Sequence, residues 1–296
     1  MPGVRKTPAA RFALELDGVV CGFVESVSGG AIAADVVSVA GPDGFDAKHL
    51  GRVGYEELEL RLDLSLDAAV YDWIAASWKG ASPRRDGSIV ATDFDGKAVS
   101  EQEFFRGLLT EVTIPALDGS SKDAAYLTVK IAPEYVRLAK GSGKTVKSTA
   151  GRQLEWKASS FKLEIDGLDT THVIAIEPFT VSQEVVAGSA GDTRTFAELP
   201  GRPTFPNLRV RVAASGADTW TAWFDDFVMK GNNDPSHERS GKLTFLDTSL
   251  KKPLGEVSFA NLGIFRLEPG PGVANVETIA YVLVDLYCDR MELAVP

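Results

Sequence analysis

The chain has 296 residues, 44% of them hydrophobic and 24% charged, and a formal net charge of −10. It is globular in composition and long enough for two ordinary domains, and its acidity disfavours general binding to a polyanion. No apolar run of about eighteen residues is present to span a membrane, and the opening MPGVRKTPAARF lacks the apolar segment of a secretory signal.

The first predicted element is the strand RFALELDG, with Phe12, Leu14 and Leu16 inward, Arg11, Ala13 and Glu15 outward, and an Asp-Gly turn after it. GVVCGFVESVSG is its hairpin partner. The next segment, through Gly51-Arg52, is too long for a tight turn. It starts near a Val36-Val37 pair, has Gly and Asp in its middle, and reads as a projecting β-arm. EELELRLDL then alternates strictly, Leu58, Leu60, Leu62 and Leu64 on one face, Glu57, Glu59, Arg61 and Asp63 on the other. A helix follows, with Ser65 or Asp67 as N-cap, Leu66, Val70, Trp73, Ile74 and Ser77 as its stripe, and Gly80 as its stop. Strands near 88–93, 103–114 and 124–138 complete this stretch.

KGSGKTVKS, Lys140–Ser148, carries the second half of a phosphate loop, but the first glycine of that motif would fall on Leu138. Its lysines and glycines instead predict a solvated, flexible connector, with a basic strap over an acidic neighbouring surface as the alternative. Beyond it the chain repeats itself. FALELDG at 12 recurs as FKLEIDG at 161, Leu50-Gly51-Arg52 as Pro200-Gly201-Arg202, Trp73 as Trp223, and AYLTVKI at 125 as AYVLVDL at 280. The order is preserved while the spacing drifts only slightly, which is the pattern of a duplicated domain. The second copy has an arm with Val185-Val186, a strand Leu208, Val210, Val212 against Arg209 and Arg211, and a helix bearing Trp220, Trp223, Phe224 and Phe227. Strands near 242–247, 255–268 and 278–293 end it. The predicted domains are 1–139 and 159–296 with a linker at 140–158, each mainly β with one helix.

No nucleophile elbow, zinc-binding pair of histidines or other metal-spaced His/Cys set occurs, and His49, His172 and His237 stand apart. Asp93–Gly96 and Asp225–Phe227 hold carboxylates that read as a turn and a helix surface. Cys21 and Cys288, at opposite ends, make no disulfide framework, and a reducing compartment is the expected site of synthesis.

The motif F-x-L-E-[LI]-D-G, a long arm ending in [LP]-G-R, an alternating strand, a helix with a central Trp, and SPRRDGSIVATDFDG at 82–96 together resemble the tail-tube proteins of contractile phages and the inner-tube subunits of related injection systems. The resemblance is weaker in the second copy, where SHERSGKLTFLD replaces the Arg-Arg-Asp-Gly segment and Pro203 and Pro206 enter. It implies two tandem β-barrels and stacked rings of six such domains around a pore. Implied partners are other copies of the chain, sheath and baseplate proteins, and DNA or protein cargo in passage, with no cofactor, no metal and no enzymatic activity. It implies assembly in the cytoplasm and residence in a virion tail or injection particle. Carried over, the inter-ring stacking arms are Ala34–Arg52 and Gln183–Arg202, with Val36, Val37, Pro42, Asp43, Phe45, Lys48, Val185, Val186, Asp192, Arg194 and Phe196. Glu57, Glu59, Arg61, Asp63, Arg209 and Arg211 face the lumen or a neighbour. A tube-end ring (baseplate initiator or cap-proximal adaptor), or a secreted two-barrel binding module, are the alternatives.

Overall fold

A computed structural model describes residues 11–41, 44–147, 156–188, 197–270 and 280–296. In the first copy the strands are β1 (Arg11–Leu16), β2 (Val19–Val24), β3 (Ser26–Gly29), β4 (Ile32–Ala40), β5 (Asp46–Tyr55) and β6 (Leu58–Leu62), then helix α1 (Ala68–Trp78), then β7 (Arg85–Thr92), β8 (Ala98–Ile114), β9 (Leu117–Asp118), β10 (Leu127–Ala132) and β11 (Tyr135–Lys140). The second copy runs β12 (Trp156–Ile165), β13 (Val173–Ile176), β14 (Phe179–Gly188), β15 (Ala197–Thr204), β16 (Leu208–Ala213), α2 (Asp218–Phe224), β17 (Arg239–Asp247), β18 (Pro253–Pro269), β19 (Tyr281–Tyr287) and β20 (Arg290–Ala294).

The first copy's strand order is β2-β1-β7-β8-β10-β6-β3. Its two ends are consecutive in the chain, with only Glu25 between them, so β2 and β3 act as one bent strand that closes a barrel. The long β8 turns the opposite corner, pairing β7 along its first part and β10 along its second. Leu58, Leu60, Leu62, Leu109, Val129 and Ile131 fill the interior, all at most 4% exposed. Helix α1 plugs it with Val70, Trp73 and Ile74. Asp67 is the N-cap, its carboxylate accepting the Ala69 N–H at 3.0 Å.

The second copy repeats the order as β12-β17-β18-β19-β16-β13, with Trp220, Trp223 and Phe227 buried as the plug and Phe224 partly so. Its helix ends differently. Trp73 and Trp223 are spaced by 150 but the stop glycines Gly80 and Gly231 by 151. The extra residue is absorbed as a π-helical turn, Asp225–Met229. Both glycines have positive φ, 80° and 76°, as a helix stop needs.

Three findings differ from the sequence expectations. The strands expected over 124–138 and 278–293 are each two, broken at Pro133-Glu134 and Cys288-Asp289. Ala13, expected outward, is fully buried in a small outer cluster with Val90 and Ala98 that Val146 covers. That cover comes from residues 140–147, which are stitched to the first barrel rather than solvated. Gly143 N–H donates to the Ala98 carbonyl, Ala98 N–H to the Lys144 carbonyl, and Val146 N–H to the Gly96 carbonyl. The backbone of Gly143-Lys144-Thr145 is thus bound to a strand, unlike a phosphate cradle with converging free N–H groups. Of the rest of the expected linker, residues 148–155 lie outside the described residues, and Trp156–Ala158 are already the start of β12.

Candidate assembly surfaces

Each arm is a two-stranded ribbon. β4 pairs β5, with Ala33 opposite Gly54 and Val37 opposite His49; β14 pairs β15, with Ser182 opposite Thr204 and Val186 opposite Leu199. These are the same register at the repeat spacing. The register also slips at equivalent places, around Asp35 and Glu184. The prolines of the second arm sit on β15, Pro200 opposite Val185 and Pro203 opposite Gln183, on a strand whose only partner among the described residues is β14.

The arms differ in what they touch. β4–β5 forms a sheet of its own, and Val36, Val37, Phe45 and Leu50 are 48–79% exposed, with Lys48 exposed too. The base of the second arm is instead sewn to the first barrel. Phe179, Thr180, Val181 and Ser182 of β14 pair with Ile114, Thr113, Val112 and Glu111 of β8, and Ile176 and Ala175 of β13 pair with Leu117 and Asp118 of β9. This is one antiparallel ladder in constant register, and it joins the two barrels edge to edge. Val181 and Phe179 are each 3% exposed there. A tight gap at this seam is lined by Trp78, Thr110, Val112, Val181, Gln183 and Pro203, so the arm base also covers the end of α1. Gln183 donates to the Gly201 carbonyl at 2.6 Å and to the Ser82 hydroxyl. The first barrel also lends residues 123–125 to β12, where Ala125 N–H donates to the Trp156 carbonyl and Ala158 N–H to the Asp123 carbonyl. Of the other expected arm residues, Val185 is half-buried and Val186 lies on the described backbone, while Pro42, Asp43, Asp192, Arg194 and Phe196 lie outside the described residues.

The polar face of the joined sheet carries the expected charged residues, and side chains from neighbouring strands line up with them. Glu59 stands opposite Lys130, Lys130 opposite Glu111, and Glu111 opposite Ser182 across the seam. Lys130 pairs with Glu111 at 2.8 Å, which raises the lysine's affinity for its proton. The second barrel has the inverse: Arg209 opposite Asp285 and Asp285 opposite Arg266. Arg209 grips Asp285 with two hydrogen bonds, 2.6 and 2.8 Å, and this holds its guanidinium charged well above the ordinary range. A glutamate–lysine–glutamate row in one copy has become arginine–aspartate–arginine in the other. One strand position away, Arg61 lies over Tyr126 at 4.9 Å and Arg211 over Tyr281 at 4.8 Å, the same cation–π pair in both copies. Within the seam, Thr113 and Thr180 share a hydrogen bond of 2.8 Å.

Asp63 departs from this face. β6 ends at Leu62, and Asp63 is 5% exposed, accepting from the Ser65 N–H and hydroxyl while its carbonyl accepts from Tyr71. It shapes the entry to α1, because an aspartate two residues before a serine closes an Asx turn instead of extending a strand. Glu57 is exposed just before β6, and its carbonyl accepts the Gly30 N–H. The residues that sequence reasoning missed are Lys130, Glu111, Asp285 and Arg266. Their signal was present in the alternation of LTVKI and YVLVDLY, but pairing across strands sets the rows.

Residues 8–137 match the family described as T4-like virus tail tube protein gp19. Over this stretch, which is the first barrel, the chain is similar to the tail tube family. The second half repeats that barrel's strand order and arm register within the same polypeptide. Among solved structures, the chain is similar to one in the sheath-tube complex of the PVC extracellular contractile injection system in its extended state, with 21% identity, TM-score 0.41, 46% of this chain and 93% of that one covered. It is similar to a chain of the tube-terminating cap of the anti-feeding prophage, with 20% identity, TM-score 0.41, and 47% and 95% covered. Hcp1 from Flavobacterium johnsoniae follows at 13% identity and TM-score 0.28, with 46% and 95% covered. No curated protein matches by sequence.

Proposed function

We propose that this chain is a double-length structural subunit of the inner tube of a phage tail or contractile injection system, assembling with further copies into stacked pseudo-hexameric rings around a conduit. The observation that carries the reading is the seam. Two tube-type barrels are joined by an edge-to-edge ladder from Glu111–Asp118 to Ala175–Ser182, and that kind of contact can be repeated from barrel to barrel. The polar rows of Glu59, Arg61, Arg209 and Arg211 then face the lumen. The exposed arm β4–β5 then has a partner in the adjacent ring, since a two-stranded ribbon with Val36, Val37, Val39, Phe45 and Leu50 in water is marginal alone. The domains are 1–139 and 159–296, the first extended by the fastened residues 140–147 and the second by Trp156–Ala158 of β12. The role is structural and without catalysis, the particle's sheath and baseplate are further partners, and DNA or protein passes through in transit. Electron microscopy of the purified protein tests this: annular particles with a central hole and six lobes are expected, and discrete monomers at high concentration overturn it.

A further inference from the structure

Among the described residues, the seam inside the chain has an unpaired counterpart on the outer edges of the two barrels. In the first barrel β8 is covered at Glu111–Ile114 by the base of β14. The equivalent stretch of β18, Arg266–Pro269, pairs β19 on one side only among the described residues. The segment equivalent to β14's base is Gly30–Ala33, at the start of the first arm; among the described residues its only strand partner is β5, through Ile32 and Ala33, while Gly30 and Ala31 bond to the Glu57 and Glu56 backbone and the Gly30 carbonyl accepts from Gln102. Burial follows the same logic. Val181 is 3% exposed, its equivalent Ile32 44%; Thr110 is 6% exposed, its equivalent Phe265 44%; Trp78 is 4% exposed, its equivalent Met229 71%. Pro203 lines the seam, and its equivalent Val53 is 49% exposed. On the outer strand Leu293 of β20 is 5% exposed beside α1, while its equivalent Leu138 on β11 is 67% exposed.

We infer that these two surfaces are the halves of a head-to-tail interface between copies of this chain: the base of β4 of one copy adds to the edge of β18 of the next. Ala33 then stands opposite Arg266, Ile32 opposite Leu267 and Ala31 opposite Glu268, with Ile32 and Val53 laid against Phe265 and Met229. Pro269 has no N–H to give, so the ladder is carried by Arg266–Glu268. The hinge that lets the first arm swing is Gly29-Gly30, at φ of 77° and 71°, where the second copy has Pro178-Phe179. One pair of the internal seam does not recur. Lys79 meets Glu292 at 3.5 Å, whereas the equivalents Lys230 and Arg137 are both cations, each already paired in its own barrel with Asp226 and Glu103. Such a contact is heterologous, and a ring of six barrels closes with three chains. Ring closure rests on the tube reading; the interface itself does not.

The test is site-directed crosslinking of full-length Ala33→Cys/Arg266→Cys with a short bis-maleimide; both positions are exposed and the native thiols are buried. The Ser182→Cys/Glu111→Cys protein, expected to crosslink within one chain, checks the reagent's fit. Covalent species that stop at three chains, and are lost on Met229→Glu, are the expected result. A series running to six overturns three-chain closure. Annular particles with no crosslink overturn this interface and leave the tube reading standing, while open crosslinked chains without rings sink the tube reading and keep the interface. Monomers without crosslinks overturn both.

Discussion

Asp67, Trp73 and the two cysteines each do one local job that the chain around them sets. The Asp67 carboxylate satisfies one orphan N–H at the start of α1, so Asp67→Ala is expected to cost about 1 kcal/mol in a denaturant titration. Trp73 is 2% exposed and its indole N–H donates to the Pro83 carbonyl at 2.7 Å. Trp73→Ala removes the plug of the first barrel and is expected to cost about 3–5 kcal/mol in the same measurement. Burial pushes the Cys21 thiol from 9.0 up to about 11 and the Cys288 thiol up to about 12. Their neutral form is the one the fold holds. Stability linked to them is therefore complete below pH 9 and is lost as pH rises toward 11 and 12. In the folded protein at pH 8 neither thiol should react with iodoacetamide, while both should in denaturant; rapid labelling without denaturant would contradict their burial.

Strands and helices were largely legible because their apolar periods are strict. The run from Leu58 to Leu62 and the stripe Val70, Trp73, Ile74 each placed their element and its buried face. What period alone does not reveal is where an element stops serving its own barrel. Asp63 alternates correctly but sits past the end of β6, and Ala13 alternates outward but is covered by Val146 from a segment with no pattern. The arms were visible from their length and punctuation, yet the pairing of β14's base with β8 was not, because a cross-barrel ladder leaves no periodic mark. The charge rows belong to this scale as well. Glu59, Lys130 and Glu111 are one row, inverted as Arg209, Asp285 and Arg266. Asp285→Lys alone puts three cations together and is expected to lower the thermal midpoint. Arg209→Glu/Asp285→Lys/Arg266→Glu recreates the first copy's row and is expected to restore it, because the pairing and not the sign is what the sheet requires.

For the whole molecule, the duplication is more than two similar halves in series. The first barrel lends the second an edge at Glu111–Asp118 and a further strand contact at residues 123–125, so the halves are neighbours in one sheet. Deleting residues 41–46 shortens the first arm without touching that seam. Rings are expected to persist and stacking to fail, read as a loss of tubes in negative-stain images; tubes of normal length would remove the arm from the inter-ring contact.

The central claim is that barrel-to-barrel edge pairing, seen once within the chain, is the repeating contact of a closed conduit. The most direct measurement is cryo-electron microscopy of the assembled protein, reading the end-on symmetry of its particles. The account predicts an annulus of six barrels with an open centre and an unbroken strand ladder around it. An assembly without a central opening, or one in which adjacent chains meet by faces other than these sheet margins, would contradict it.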